Sequence, residues 1–522
     1  MNTDILVIGS GIAGLSFAIK ASQFAKVTIA TKSEVAESAT RHAQGGLAAV
    51  MKKGDSCWLH VKDTLRAGDG LCIKKSVNFL VKHAPEQIRW LQGLGMRFDR
   101  KPSREAVHSR PRIVHRGDIT GREVEDFLVS LAKESKNITI KEYHLATKLI
   151  REGNMVIGAY LLDARKNGIM QCSAKAVVLA CGGLGRLYKN TVNPQISTGD
   201  GFALAYNAGA ELMDMEFVQF HPTGLYNSEP PFLISETVRG EGGIMKNRLG
   251  MPYMAHYHRD GDLAPRDVVS KFSIDEMKKT KSSCVYLDAR HLGGQYLKKR
   301  FPNIYAECQK YGIDMAKDMI PVSPTAHYSC GGIKIDLKAR TSLTNLYAIG
   351  ENSCCGIHGA DRLASNSLTE GLVIGASLSA YLKKSMKKEE SLQGSSITDL
   401  TMPCEPLLTK DKARLATVRK RLQDIMWEQV GIIRNVAGLR DAITEIEALE
   451  KEAKRTKGFD AGKAQALSML TTARLIAVFA LRRKESRGTH FLIDYPERDD
   501  ARWIRHLTVS KGKGKNMESK SF

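Results

Sequence analysis

The 522-residue chain holds ten cysteines but no C-x-x-C pair and no His/Cys grouping at zinc-ligand spacing. Neither a structural zinc site nor a redox dithiol is therefore expected, and no metal is assigned. Cys354 and Cys355 are adjacent and poorly placed to bridge each other, so reduced thiols and a cytoplasmic setting are expected. No stretch approaches the roughly 18 consecutive apolar residues that span a bilayer. Four residues precede the first apolar run, so no signal or transit peptide is expected before it. Acidic residues are in deficit: 56 Asp and Glu face 78 Lys and Arg, a net charge of +22. Such a surface suits nucleic acid, anionic lipid or an acidic substrate. The basic residues are spread along the chain, however, and the one basic tail (510–520) carries no aromatic side chain for base stacking. That tail reads as a solvated terminus, and no nucleic-acid partner is expected.

Against these absences stands one local pattern. Ile5 to Ile8 form a short apolar run that enters Gly9-Ser10-Gly11-Ile12-Ala13-Gly14, and a helix-forming stretch follows from Leu15 to Ala21. This is the strand–turn–helix of a dinucleotide-binding fold. Gly9 allows the tight turn, Gly11 the approach of a pyrophosphate, and Gly14 the close packing of helix on strand. The helix N-terminus offers its free N–H groups and partial positive charge to the phosphates. The second strand, Lys26 to Thr31, is followed by Lys32 where such folds usually carry a ribose-binding acid. Lys32 is expected to serve the ribose or the phosphate instead.

The rest of the chain reads as an α/β domain interrupted by an insertion. A polar, glycine-rich loop runs from Thr40 to Gly46, helices are expected near 74–92 and 121–134, and strands fall between 137 and 181. Residues 221–330 differ in texture, rich in Pro, Gly, His and Arg, with helices expected near 265–280 and 296–312. Strand signals resume at Gly332–Asp336 and Asn345–Glu351, and a long apolar-periodic helix follows at 367–384. The expected organisation is a Rossmann-like domain (1–220 and 331–385), an α+β cap (221–330), a linker (386–408) and a helical C-terminal domain (409–522). An insertion between two cofactor-binding segments commonly caps a cofactor, and clefts between domains hold small ligands.

Several ordered stretches carry a resemblance. They are His42-Ala43-Gln44-Gly45-Gly46, Ser197–Gly201, Gln219-Phe220-His221-Pro222-Thr223, Arg239–Gly242, Leu263–Asp267, His327–Gly332, Arg362–Leu368, and the C-terminal pair Glu485–Gly488 and Asp494–Arg498. With these the chain resembles, over nearly its whole length, the flavoprotein family of succinate dehydrogenase, fumarate reductase and L-aspartate oxidase. The resemblance implies FAD and hydride exchange with a four-carbon dicarboxylate. It places Arg266 as the catalytic arginine, Arg362 with His327 on one carboxylate, and His221 with Gln219 or Ser235 on the other. It lines the cofactor with Ala39, Thr40, Arg41, His42, Ala43, Gln44, Gly45, Gly46, Asp200, Glu351, Ser367 and Leu368. A dianion in a water-poor site needs cations and donors at both ends, which this set provides.

Two departures choose within the family. Respiratory members anchor FAD covalently through the histidine of Ser-His-Thr-x-x-Ala-Gln-Gly-Gly; here Ala39 stands in that place, so FAD is expected to be non-covalent. Ser103-Arg104-Glu105-Ala106-Val107-His108-Ser109 is similar to the Arg-Glu-Gly-Gly-His-Ser stretch of the oxidases, whose glutamate favours a substrate amino group. Ala106-Val107 replace the two glycines, so the loop is expected to run differently there. The resemblance then implies oxidation of L-aspartate to iminoaspartate, with O₂ (giving hydrogen peroxide) or fumarate (giving succinate) as acceptor. It also implies a link to quinolinate synthase and NAD biosynthesis. The alternative is a soluble fumarate reductase or a succinate dehydrogenase flavoprotein subunit.

Overall fold

The computed structural model describes residues 1–387, 401–511 and 518–520, so most of the expected linker and of the basic tail lies outside the described residues. Its central sheet is built on the strand Asn2–Ile8, whose Ile5, Leu6, Val7 and Ile8 are all buried, as a strand covered on both faces requires. Val27–Ala30 and then Ile138–Lys141 extend the sheet in parallel on one side. The long strand Gly168–Leu179 lies on the other side and changes role along its length. Its second half runs parallel to the first strand, with Ile8 opposite Leu179, and carries Leu346–Ala348 on its far edge. Its first half pairs antiparallel with Met155–Asp163, which in turn pairs with His144–Glu152. Three parallel strands therefore end side by side, at Ile8, Leu179 and Ala348. The crevice beyond the carboxyl ends of such strands is where open α/β sheets bind ligands. The helices Ile12–Ala21 and Asn366–Met386 pack against each other over this edge.

The insertion leaves and re-enters through two long antiparallel strands, Val218–Leu225 and Ile320–Ser329. Val285–Asp288 and Ile244–Lys246 complete its four-stranded sheet. Its core of Leu225, Val238, Val269, Leu287, Ile304 and Val322 is separate from that of the main sheet. The helix expected at 296–312 is two helices, Gly294–Arg300 and Pro302–Lys310. Pro302 has no N–H to continue the first helix, and its fixed φ starts the second at the first-turn position.

Residues 409–482 form three helices, Thr409–Glu428, Val436–Arg455 and Ala461–Arg482, the last two capped by the side chains of Asn435 and Asp460. Leu422, Met426, Leu439, Ile446, Met469 and Ile476 meet between them. Ala461–Arg482 is long and apolar enough to cross a membrane by length and composition, but it is mostly buried as a core helix of this bundle. The chain then returns to sheet: His506–Val509 pairs with Leu212–Met213, and His506 pairs with buried Asp214. A buried ion network ties bundle to base, with Arg483 bonding Glu216 at 2.5 Å and Glu485 at 3.0 Å.

Candidate functional site

A cavity of about 430 Å³ follows the strand ends from Lys32 to Arg362, between the main sheet and the insertion. Gly9, Ser10, Gly11, Ile12 and Ala13 line it, as do all residues from Ala39 to Gly46, with Asp200, Glu351, Ser367 and Leu368. Gly14 sits behind this surface, where an added Cβ would lie 2.2 Å from the Gly9 carbonyl oxygen. Gly9 has φ +113°, and a side chain there would strike the Ala180 carbonyl. The helix starting at Ile12 has no acid in its first turn and no side-chain cap of its own. The Ile12 N–H donates instead to Thr40 Oγ1, at 3.0 Å. Lys32 ion-pairs with Asp200 and donates to Thr198 at 2.5 Å. Asp200 Oδ1 is buried with no hydrogen-bond partner. His42 is half exposed, its Nε2 3.5 Å from Glu37.

The far end of the cavity is polar, and the long strands of the insertion build it. Their pairing skips a residue: Gln219 faces Tyr328 and Phe220 faces Ala326, which leaves His327 on a bulge. A bulge re-aims its side chain, and here it brings the His327 ring to 5.1 Å from the His221 ring. Both imidazoles are held well below the usual histidine pKa, first by burial and then by the nearby Arg266 charge. His221 Nδ1 accepts the Thr223 N–H at 3.3 Å, which leaves the proton on Nε2, a buried nitrogen with no partner.

Gln219 does not line the cavity; it braces it. Its Oε1 accepts from Arg266 Nη1 at 2.9 Å and from Arg362 Nη2 at 3.0 Å. Its amide nitrogen donates to Asp361 and to the Arg362 carbonyl. Arg266 is paired at 2.5 Å with Glu236, which also lies 3.7 Å from Arg239 and 3.8 Å from His221. Burial works to raise the Glu236 carboxyl, but the Arg266 and Arg239 charges outweigh it and hold it below its ordinary value. Glu105 lines the same cavity, is buried, and accepts from Ser365 Oγ at 2.5 Å. Burial and the Glu236 charge push its pKa up. Val107, in the same loop, has φ +68°, so the loop keeps a conformation that favours glycine. Ser235 lines the cavity and caps the short helix Glu236–Gly240.

The family model for the FAD binding domain matches residues 4–368, and that for the fumarate reductase flavoprotein C-terminus matches 419–521. A Vibrio cholerae protein named L-aspartate oxidase is 39% identical over 95% of this chain and 96% of its own length. A chloroplastic Arabidopsis thaliana protein of the same name is 38% identical over 96% of this chain and 82% of its own. The chain belongs to the L-aspartate oxidases. Among solved structures, E. coli quinol fumarate reductase matches with TM-score 0.90 and 31% identity, covering 100% of this chain and 97% of that one. A Mycobacterium smegmatis Sdh1 complex matches with TM-score 0.83 and 32% identity, over 100% and 94%. Like other L-aspartate oxidases, this is an FAD-dependent oxidoreductase, built as a Rossmann-like domain with an inserted α+β cap and a C-terminal helical domain.

The residues present fit that cofactor. The helix end at Ile12 suits a pyrophosphate, unpartnered Asp200 Oδ1 can accept from a hydroxyl or N–H of the cofactor, and glycines 9 and 11 allow a close approach of backbone. Glu236, Arg239 and Tyr328 are the site residues that sequence reasoning passed over in this L-aspartate oxidase. Glu236 and Arg239 carried one usable signal, an acid and a base three apart in a run of otherwise uncharged residues. Tyr328 carried none, because the bulge that turns it and His327 exists only in the paired strands.

Proposed function

We propose that the chain oxidises L-aspartate to iminoaspartate, with O₂ (giving hydrogen peroxide) or fumarate (giving succinate) as acceptor. The reaction is the first step toward quinolinate and NAD, with quinolinate synthase as the functional successor. The observation that carries this reading is one cavity that holds both signs of charge: two guanidiniums bridged by a single amide oxygen, and the buried Glu105 carboxyl.

FAD, when bound, supplies the acceptor for the hydride that leaves the substrate Cα. The protein's side chains do the rest. Arg362 presents its guanidinium to one carboxylate, because no acid of the described residues pairs with it. His221, as the Nε2–H tautomer, donates to the other, and His327 stands beside it. Glu105 faces the substrate ammonium. The ammonium must give up a proton, to the Glu105 carboxylate that faces it or to solvent, before its lone pair can form the C=N bond. Arg266 is ion-paired with Glu236, and a guanidinium is a poor base, so it orients the substrate and stabilises charge. Buried side chains lining the cavity limit water, which strengthens each of these interactions.

Ala39 leaves the flavin without a histidine anchor, and acid precipitation should release the yellow colour into the supernatant. The decisive test is anaerobic mixing of the purified protein with L-aspartate and, separately, with succinate. Bleaching of the flavin band by aspartate alone is expected; bleaching by succinate alone would favour a succinate dehydrogenase or fumarate reductase instead.

A further inference from the structure

The two site arginines are neutralised in different ways. Arg266 has a carboxylate against its guanidinium, with Glu236 at 2.5 Å. Arg362 has none: its Nη1 donates to Ser367 Oγ at 3.0 Å, its Nη2 to Gln219 at 3.0 Å, and its Nε has no partner, although the residue is 4% exposed. A buried guanidinium needs compensation from somewhere. What lies against it is the ring of Tyr328, whose centroid is 4.4 Å from the guanidinium carbon.

Tyr328 is held from behind. Its phenol O–H donates to Glu370 Oε2 at 3.1 Å, and the oxygen lies 3.2 Å from His358 Nε2. That His358 nitrogen in turn meets Glu370 Oε2 at 2.8 Å. Glu370 and His358 are 1% and 3% exposed. Hydrogen-bonding a phenol to a carboxylate moves electron density onto the ring, which strengthens its attraction for a cation over its face. The Glu370 charge thus reaches Arg362 through an aromatic ring rather than through a salt bridge. The guanidinium is stabilised while no carboxylate of the protein competes for its N–H groups.

We propose that Tyr328, backed by Glu370 and His358, is a positioning and specificity residue that keeps Arg362 buried, charged and available to a substrate carboxylate. This rests on the reading of the cavity as a dicarboxylate site. The residue acts through Arg362, so its loss should weaken ligand binding with little effect on the chemical step.

The test measures succinate binding to the oxidised holoenzyme, by perturbation of the flavin spectrum, beside kcat and KM for L-aspartate. Tyr328→Phe keeps the ring and loses the polarising hydrogen bond; a two- to threefold rise in the succinate Kd is expected. Tyr328→Leu removes the ring face, and a rise of about thirtyfold is expected, the size of a desolvated cation–π contact. In both, KM for aspartate should follow Kd while kcat stays within about twofold. Glu370→Gln should match Tyr328→Phe, and the Tyr328→Phe, Glu370→Gln double variant should be no worse than either alone. Should Tyr328→Leu fail to fold, the Phe and Gln variants and their double carry the test. Equal affinity across the series, or loss of kcat with Kd unchanged, would overturn the proposal. If wild type binds succinate but does not oxidise aspartate, the proposed reaction fails while the role of Tyr328 is still decided by Kd.

Discussion

Glu105→Gln isolates the interaction that distinguishes an amino-acid substrate from a plain dicarboxylate. The substitution changes charge with almost no change of shape. The Ser365 hydroxyl that donates to Glu105 at 2.5 Å can donate equally to the glutamine carbonyl, so the loop should stay where it is. What is lost is an ion pair with the substrate ammonium in a buried site. A hydrogen bond to a charged group contributes about 1.5–3 kcal/mol, so KM for L-aspartate should rise roughly 10- to 100-fold. Succinate carries no amine and sees only one less negative charge, so its inhibition constant should hold or improve. The pH dependence has a definite sign. Burial and Glu236 raise the Glu105 pKa, so in the free site part of the population is protonated above the ordinary carboxylate range. Aspartate binding should strengthen as pH rises through that raised value, and this limb should vanish in the variant. The assay is steady-state turnover with aspartate against succinate inhibition, at several pH values. An aspartate KM within twofold of wild type, or succinate inhibition weakened in parallel, would refute the assignment and leave Glu105 a structural hydrogen-bonder.

Arg266→Leu should abolish aspartate turnover yet leave FAD bound, because Arg266 braces the polar end of the cavity far from the Gly9–Ala13 turn; the flavin content of the purified variant and its oxidase rate check both halves. Val107→Gly should raise the thermal midpoint, since relief of a β-branched residue at φ +68° outweighs the added chain entropy by about 0.5–1 kcal/mol; a lowered midpoint would show that the valine side chain packs better than its strain costs. Glu125 is fully buried, and burial pushes it up to about 8. Unfolded, it titrates near 4.3. Between about pH 4.3 and 8 the unfolded chain has released a proton that the folded chain keeps, so this group lowers stability as pH rises, by up to about 1.4 kcal/mol per unit. Glu125→Gln should remove that slope and stabilise the protein more at pH 8 than at pH 5; identical slopes in urea unfolding would contradict it.

The parts of the site that sequence made legible are those set by local chemistry. Gly9 and Gly14 announce their turn because no other residue fits where Ala180 and Gly9 carbonyls crowd them. The apolar run before them announces a covered strand. What stayed hidden depends on partners distant in sequence. The His327 bulge is a property of a register with residues about 110 positions earlier. Gln219 reads as a substrate ligand until its amide is seen to be consumed by Arg266, Arg362 and Asp361. The strand His506–Val509 is invisible in a region of helical composition because its partner Leu212–Met213 is distant in sequence. Pro302 did announce the break in the expected 296–312 helix, but apolar periodicity runs on across it.

The electrostatics of the cavity give a reason for its choice of ligand. Arg266 and Arg239 share one acid, Glu236, that is held ionised, while Arg362 close by has no carboxylate against its guanidinium. The other nearby acids are pushed the opposite way: burial raises Glu105, raises Glu351 to about 7, and raises Asp361 well above its usual value beside Asp267. With Glu236 the acid held ionised among these guanidiniums, the site without ligand carries surplus positive charge in a place that water reaches poorly. A dianion cancels that surplus, whereas a monoanion leaves a buried guanidinium uncompensated and pays the full desolvation of one charge. An added ammonium would undo the balance unless an acid ionised to meet it, and Glu105 is the acid placed to do so. Binding of aspartate should then be coupled to release of a proton from Glu105, whereas binding of succinate should not. Calorimetry in buffers of different ionisation enthalpy would separate the two, under anaerobic conditions and with Glu105→Gln as the control that abolishes the difference.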